Sequence, residues 1–166
     1  YESLIHKINY FLNDNPQMSI NSFLKYDYVG APFPSKISNK HLNRSLLNNQ
    51  NTLEIGSGNL SIRKKSRMLQ ICALLNQRRF KKLVEKSDDL VISSFLLAPI
   101  LKSVKLPTKE EANSFSSEFT FRSGSVGGYA PWLNLETSVL TRISTECSDF
   151  KELFRKYLYE SLNGDC

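Results

Sequence analysis

Apolar residues along the chain recur at two spacings, one typical of short strands and one typical of amphipathic helices. Short apolar runs predict strands at Asp27–Ala31, Asn59–Arg63 and Glu118–Arg122. Helical spacing or helix caps predict helices from Asn15-Pro16 to about Leu24, over Lys64–Gln77, from Ser87 or Asp88 to about Leu97, from Thr108 through Asn113, and from Ser148 onward. Strands and helices that alternate in this way predict one α/β domain over residues 1–166, with a sheet covered by helices.

Glycines precede the second predicted strand, in the segment Gly56-Ser57-Gly58-Asn59. Glycine adopts a positive φ without strain and lets a ligand come close to main-chain N–H groups. We therefore predict a turn here, and if Gly58 has a positive φ, Gly58→Val should cost stability. Two interpretations are open: the turn is a backbone cradle for a ligand, or it is only a tight turn into the strand.

The composition is that of an ordinary globular chain, with 40% hydrophobic and 23% charged residues. The longest apolar run, Val91–Leu101, contains Ser93, Ser94 and Pro99, so no membrane span is expected in this segment. No signal peptide or anchor is visible, and a start at Tyr1 without Met indicates a cut into a longer protein.

The cysteines and histidines do not predict a metal site. Cys72, Cys147 and Cys166 have no CxxC spacing, and His6 and His41 lie in polar, unpatterned segments, so zinc is not expected. Cys72 falls among the apolar positions of a predicted helix, and we expect a buried thiol there. This cysteine usage favours a reducing, cytoplasmic location over a lumenal one.

The net charge of +6 is concentrated in two stretches, Arg63-Lys64-Lys65-Arg67 and Arg78-Arg79-Lys81-Lys82. Such stretches either bind nucleic acid or a phosphorylated ligand, or they are solvated helix faces. Aromatic residues are not interleaved with these charges, so a base-stacking surface lacks support. A nucleic-acid-binding module rests on net charge alone, and nucleic acid is not expected as a partner.

Five segments resemble, in order and rough spacing, a family of glycosyltransferase-like domains. They read YDYVGAP, IGSGNLSIR, Asp88-Asp89, LPTKEEANSFSSE (Leu106–Glu118) and GGYAPW (Gly127–Trp132). The corresponding family segments read roughly YDYIGAPW, GNGGLSLR, Glu-Asp, LPSxExAxxFSxE and GxHxxW. Five motifs in order, from about Leu24 to Trp132, are more specific than any one of them alone.

This resemblance to GT-A-type, nucleotide-sugar-dependent transferases implies a fold and an activity. The implied fold is a GT-A-like mixed sheet flanked by helices, without part of the N-terminal nucleotide-binding half. The implied activity is that of a hexosyltransferase-like enzyme, which moves a sugar from a nucleotide-sugar donor to a hydroxyl of a carbohydrate or glycoprotein acceptor. The alternative is a diverged, non-catalytic domain of the same fold that binds carbohydrate or protein.

Sugar transfer needs a carboxylate for the acceptor hydroxyl, cations for the leaving diphosphate and a pocket for the donor sugar. The resemblance assigns the carboxylate to Asp89, with Asp88 beside it, and places Asp89 opposite the glycine-rich turn and Trp132. Alternatively, Asp88 caps the helix and Asp89 only favours its dipole. The implied substrate contacts are Gly56, Ser57, Gly58, Asn59, Arg63, Tyr129 and Trp132.

Arg63 and Trp132 each have a second interpretation, and Tyr129 weakens the case for a metal. Arg63 either meets a phosphate or covers the strand edge, and Trp132 either stacks on a sugar or packs in the core. The implied cofactor is a divalent cation, manganese or magnesium, with Glu2 as a candidate ligand. Tyr129 stands where the family has His, and tyrosine is a poor ligand for these ions at neutral pH, which argues against metal dependence.

Overall fold

The computed structural model describes residues 10–13, 16–33, 56–77, 80 and 88–163 of the chain. These residues form a mixed α/β structure of short strands and helices. The strands are β1 (Tyr10–Leu12), β2 (Tyr28–Ala31), β3 (Ser57–Arg63), β4 (Ser116–Ser117) and β5 (Gly127–Tyr129). The helices are α1 (Lys65–Leu75), α2 (Asp88–Leu97), α3 (Lys109–Phe115), α4 (Thr137–Glu146) and α5 (Ser148–Asn163), with 3-10 turns at Ile20–Phe23 and Pro131–Leu133.

The strands form two small sheets. In one, β5 lies between β1 and β4, antiparallel to β1 and parallel to β4. In the other, β2 and β3 pair in antiparallel fashion. Contacts of β2 with α3 and β4, and of β3 with α2, join the sheets and helices into one packed arrangement.

The pairing of β2 with β3 is interrupted next to the glycines of β3. Gly30 pairs with Ser61, but the next residue, Ala31, pairs with Ser57. Three residues of β3 therefore have no partner on β2, and we call Gly58–Leu60 the Gly58 bulge. The Ser61 hydroxyl donates to the Gly58 carbonyl across this bulge at 2.9 Å. The predicted glycine-rich turn is thus a bulge inside a strand.

Gly58 does not have the positive φ that a glycine allows. Among the described glycines, only Gly124 has a positive φ, of 74°. A Cβ at position 58 would overlap Asp89 Oδ1 and Arg63 Nη2, the ends of two movable side chains, so the glycine leaves these two groups room to lie against the bulge. Gly56 is also constrained by space, since its Cβ would overlap the main-chain carbonyl of Ala31.

Three of the four apolar clusters in the described residues contain several buried side chains and hold the elements together. One lies between β2, α1 and α2 and contains Tyr28, Ile71 and Phe95. A second joins Phe23 and Val29 to Phe115 and Val126. The third packs α4 on α5 through Leu140, Ile143, Cys147 and Phe150. The site described below lies at the edge of the first cluster, where α2 meets β3.

Asp27, just before β2, is a buried carboxylate with two cations and one main-chain N–H beside it. It accepts hydrogen bonds from the Lys105 N–H at 2.9 Å and from Arg67 Nε at 3.1 Å, and Lys64 Nζ lies 3.2 Å away. Burial alone raises the pKa of Asp27, but these three donors together lower it below its usual value. Asp27 therefore fastens β2 to α1 and to the segment before α3.

Several local predictions are confirmed. The strands β2 and β3 and the helices α1, α2 and α5 lie close to their predicted positions. Helix α3 begins at the predicted capping box: Thr108 Oγ1 accepts from the Glu111 N–H, and the Glu111 carboxylate accepts from the Thr108 N–H. The sequence analysis did not predict α4.

Other predictions are wrong because tertiary packing decides them. The helix expected from Asn15-Pro16 to about Leu24 is a single 3-10 turn capped by Ser19, in which Phe23 is buried while Ile20 is 49% exposed. The strand expected at Glu118–Arg122 is absent, since β4 ends at Ser117. Cys72 is exposed rather than buried, because the neighbouring Ile71 occupies the inner face of α1.

No helix in the described part of the chain is both long and apolar enough to cross a membrane.

Candidate functional site

The first turn of α2 meets the Gly58 bulge through Asp89. The Asp89 carboxylate accepts a hydrogen bond from the Gly58 N–H, and its side chain is only 16% exposed. Two acidic residues, Asp88 and Asp89, occupy the first turn of the helix, where the unpaired N–H groups favour negative charge. The bulge and the helix start thus hold one carboxylate between them.

Arg63, at the end of β3, lies against this carboxylate. Its Nη2 is 3.5 Å from Asp89 Oδ1 and donates to the Gly58 carbonyl at 3.0 Å. Its Nη1 donates to Asp88 Oδ2 at 3.1 Å, and its Nε donates to Ser61 Oγ at 3.0 Å. One guanidinium group therefore ties the bulge to both acidic residues of α2.

Glu118, just after β4, brings a second carboxyl group to the bulge. Its side chain is buried, with 4% of the residue exposed. Oε1 accepts from Asn59 Nδ2 at 3.2 Å, and the same amide donates to Ser57 Oγ at 3.0 Å. Oε2 is buried and has no hydrogen-bond partner among the described residues. This carboxyl group is therefore only partly satisfied.

The surroundings raise the pKa of both carboxyl groups of the site. Burial raises the pKa of Asp89, and the Gly58 N–H and Arg63 offset this rise only in part because the charge of Asp88 adds to it. Burial also raises the pKa of Glu118, against the hydrogen bonds of Ser57 and Asn59, and the charge of Asp89 raises it further. Both carboxyl groups thus hold their protons to a higher pH than usual.

The phenol of Tyr28 completes the inner wall. Its hydroxyl donates to the Gly56 carbonyl at 2.9 Å, and its ring lies 5.9 Å from the Arg63 guanidinium carbon. Burial raises the pKa of Tyr28, and the nearby charge of Asp89 raises it further. Tyr28 is therefore a neutral hydroxyl beside the carboxylates at physiological pH.

A family model described as "Protein of unknown function (DUF5672)" matches residues 2–126 of the chain. This chain belongs to the DUF5672 family. No curated protein and no solved structure matches it. The DUF5672 match includes Tyr28, the Gly58 bulge, Arg63, Asp89 and Glu118, so the whole site lies in the family's part of the chain.

The DUF5672 portion brings most of the predicted site residues together. Asp88, Asp89, Gly56, Ser57, Gly58, Asn59 and Arg63 all lie at the junction of α2 and β3. The predicted position of Asp89 opposite the glycine-rich segment is therefore confirmed. Asp88 is the first residue of α2, and its carboxylate bonds to Arg63.

Trp132 and Tyr129 lie outside the matched residues. The Trp132 ring stacks on Tyr157 with ring centres 5.2 Å apart and also packs against Phe150 and Phe154. These contacts agree with the second interpretation of Trp132, a ring that packs in the core. Tyr129 ends β5 and pairs with Tyr10 of β1.

Two residues of the site were missed by the sequence analysis as site residues. Glu118 is the last residue of the motif LPTKEEANSFSSE, and it was assigned to a strand. Tyr28 lies inside the motif YDYVGAP and was taken as part of a buried strand. The position of both within motifs of the resemblance was the available signal, but nothing local indicates that they meet Asp89.

The residues present do not build a metal site in the described part of the chain. No group of three or more His, Cys, Asp or Glu side chains is gathered there in a way that would hold an ion. Asp88 and Asp89 are instead bonded to Arg63. Glu2, the predicted metal ligand, lies outside the described residues, so no step of a mechanism is assigned to a cation.

A separate, open depression of about 500 Å³ lies beside the 3-10 turn at Ile20–Phe23. It is lined by Asn13, Pro16, Ser19, Ile20 and Val126. None of these side chains ionises, so this depression offers no acid or base for chemistry.

Proposed function

We propose that this domain is a GT-A-type glycosyltransferase that moves a sugar from a nucleotide-sugar donor to an acceptor hydroxyl, with Asp89 as the base. One observation carries the proposal: a largely buried carboxylate with a raised pKa lies where the resemblance expects the catalytic acid–base residue. A base whose pKa lies closer to the working pH takes a proton more effectively than an ordinary aspartate. The GT-A fold itself is part of this proposal.

In an inverting transfer, the acceptor oxygen attacks the anomeric carbon of the donor. A carbon–oxygen bond forms there as the bond to the diphosphate oxygen breaks, and the acceptor proton moves to the Asp89 carboxylate. The Gly58 N–H, aimed at the same carboxylate, and Arg63 hold it in place during this step. The leaving diphosphate carries away the electron pair of the broken bond.

Arg63 supports Asp89 better than it would serve as a phosphate ligand. Its guanidinium already donates to Gly58, Ser61 and Asp88 and faces Asp89, and its side chain is 29% exposed. Binding a diphosphate would require it to give up some of these bonds. We therefore assign Arg63 to the positioning of the acidic pair.

A non-catalytic domain that binds carbohydrate or protein is the second candidate. Tyr129, in place of the family's His, favours it, because a histidine ligand for a metal is missing from that motif. The packing of Trp132 against α5 does not discriminate between the two candidates, because a packed ring serves neither function.

Donor binding and donor cleavage separate the two candidates. The full-length protein is incubated with uridine and guanosine sugars, with and without manganese. The melting temperature is then measured, and so is the release of nucleoside diphosphate in the presence of a panel of sugar acceptors. A donor at 100 times its Kd stabilises the native state by about 2.7 kcal/mol, which appears as a higher melting temperature.

We expect one donor both to raise the melting temperature and to be consumed when an acceptor is present. A sugar that stabilises the protein without any donor being consumed would favour the binding domain. No stabilisation by any donor, and no release of diphosphate, would contradict the transferase.

A further inference from the structure

Glu118 is a buried acid for which the proposed reaction has no use. Its Oε1 bonds to the Asn59 amide, while its Oε2 lies in the interior with no partner among the described residues. Hydrogen bonds of Ser57 and Asn59 favour the ionised form of Glu118. Its partners are thus the two residues on either side of Gly58.

The contacts of Glu118 lead directly to Asp89. Glu118 holds the Asn59 side chain at 3.2 Å, and the Asn59 amide in turn bonds to Ser57 Oγ at 3.0 Å. Ser57 and Asn59 flank Gly58, whose N–H donates to the Asp89 carboxylate. Because Gly58–Leu60 has no partners on β2, these side chains take the place of ladder hydrogen bonds in fixing the bulge.

We propose that Glu118 is a positioning residue of this site, which holds the Gly58 bulge through Asn59 and thereby keeps the Gly58 N–H against the Asp89 carboxylate. The inference rests on the proposed function only for the catalytic role of Asp89. The series of hydrogen bonds from Glu118 through Asn59 and Ser57 to the Gly58 bulge, which we call the relay, does not depend on that role.

The charges at the site act on Glu118 more than Glu118 acts on them. The groups that face Asp89 are Asp88 on α2, Arg63 on β3, Tyr28 on β2 and Glu118 after β4. The charge of Asp89 raises the pKa of the buried Glu118. Glu118 therefore acts on Asp89 through the hydrogen bonds of the bulge and not through its charge.

Two variants separate the hydrogen bond from the charge. Glu118→Gln keeps an oxygen acceptor for Asn59 and removes the charge, whereas Glu118→Leu removes both. Ser125→Ala is the matched control: it deletes the buried hydrogen bond between Ser125 and Ser117, next to Glu118, without touching the relay. All three are made in the full-length protein.

Two NMR readouts need no substrate. The first is hydrogen exchange at the Gly58 amide, taken relative to the Leu140 amide of α4, which bonds to the Glu136 carbonyl at 3.0 Å. The second is the pH titration of the Asp89 carboxyl carbon. We expect Glu118→Leu to speed relative exchange at Gly58 by roughly tenfold, the equivalent of one lost hydrogen bond.

Glu118→Leu should also raise the pKa of Asp89, because the Gly58 N–H lowers it. Glu118→Gln, which keeps the acceptor for Asn59, and Ser125→Ala should leave both readouts close to those of the wild type. Unaltered exchange in Glu118→Leu, or an equal acceleration in Ser125→Ala, would overturn the proposal. If Glu118→Leu does not fold, Asn59→Ala, which removes the same hydrogen bond to Glu118, takes its place.

In the transfer assay, Glu118→Leu should move the acidic limb of the pH–rate profile to higher pH, because a weakened Gly58 N–H bond leaves the pKa of Asp89 higher. A wild-type protein that transfers no sugar would overturn the proposed function, while the two NMR readouts would still decide the role of Glu118.

Discussion

Two buried or largely buried aspartates contact the β2–β3 sheet, and their surroundings differ. Asp27 lies beside Lys64, Arg67 and the Lys105 N–H, and its pKa is lowered. Asp89 is largely buried with one main-chain N–H and a shared guanidinium, and its pKa is raised. The first carboxylate is fully compensated, and the second is not.

This difference separates a structural carboxylate from one available for chemistry. A compensated buried charge stabilises the fold and gives up its charge only in strong acid. A carboxylate that is buried with incomplete compensation is a weaker acid, and it stabilises the native state less. Clusters of such groups mark functional sites more often than chance allows, and Glu118 beside Asp89 makes the second region such a cluster.

The sharpest way to break this comparison is to neutralise Asp89. Asp89→Asn keeps the shape and the acceptor for the Gly58 N–H but removes the base, so transfer should fall by about 10²–10⁴-fold. Because burial raises the pKa of Asp89, its ionised form does not stabilise the fold at pH 7, and unfolding should cost as much free energy as before. Transfer kinetics and urea unfolding measure the two effects.

Asp88→Ala is the variant to compare with it. The side chain of Asp88 is 70% exposed, and its ion pair with Arg63 lies at the surface, so stability should change little. The charge of Asp88 raises the pKa of Asp89 and its carboxylate bonds to Arg63, so transfer should fall, but by less than in Asp89→Asn. An equal loss of transfer in both variants would mean that the acidic pair, and not Asp89 alone, carries the function.

The next prediction compares substitutions at Gly58 and Gly56, where an added Cβ would overlap different groups. In Gly58→Ala the new Cβ displaces the movable side chains of Asp89 and Arg63, so the fold should survive while transfer falls by about 100-fold. In Gly56→Ala the Cβ meets the main chain of Ala31, and stability should fall by roughly 1–3 kcal/mol. Equal losses of stability in the two variants would contradict this distinction.

The smallest expected effect on transfer is that of Asp27→Asn. It should lower the free energy of unfolding by about 2 kcal/mol, because Arg67 and Lys64 lose their anionic partner, and leave transfer nearly unchanged. The pKa of Asp27 is lowered in the fold, so its stabilisation is present above the unfolded pKa and disappears as the pH falls through the folded one. The wild type and the variant should therefore converge in strong acid, and a constant difference down to low pH would contradict the assignment.

Local signals in the sequence predicted the elements, and long-range contacts decided the site. The Thr108 capping box depends on residues three apart, so it was readable directly. The bulge at Gly58 depends on pairing with β2, and the need for glycine there depends on Asp89 and Arg63. Glu118 lies about 60 residues from Asn59 in the chain, and no local pattern predicts their contact.

Helix α4 shows the other limit of local signals. Its buried positions, Leu140 and Ile143, are spaced as in a helix but flanked by polar residues, and they become a core only when α5 covers them. Trp132 was expected to face Asp89, and nothing in its own motif predicts that its ring packs against Tyr157 and Phe150 of α5.

The most direct test of the account is a carbon-13 NMR titration of the Asp27 and Asp89 carboxyl groups in the same sample. An unperturbed aspartate has a pKa of about 3.9, and we predict that the pKa of Asp89 lies above that value and the pKa of Asp27 below it. An Asp89 that titrates at or below the value of Asp27 would mean that Arg63 compensates it fully, and would contradict its role as the base.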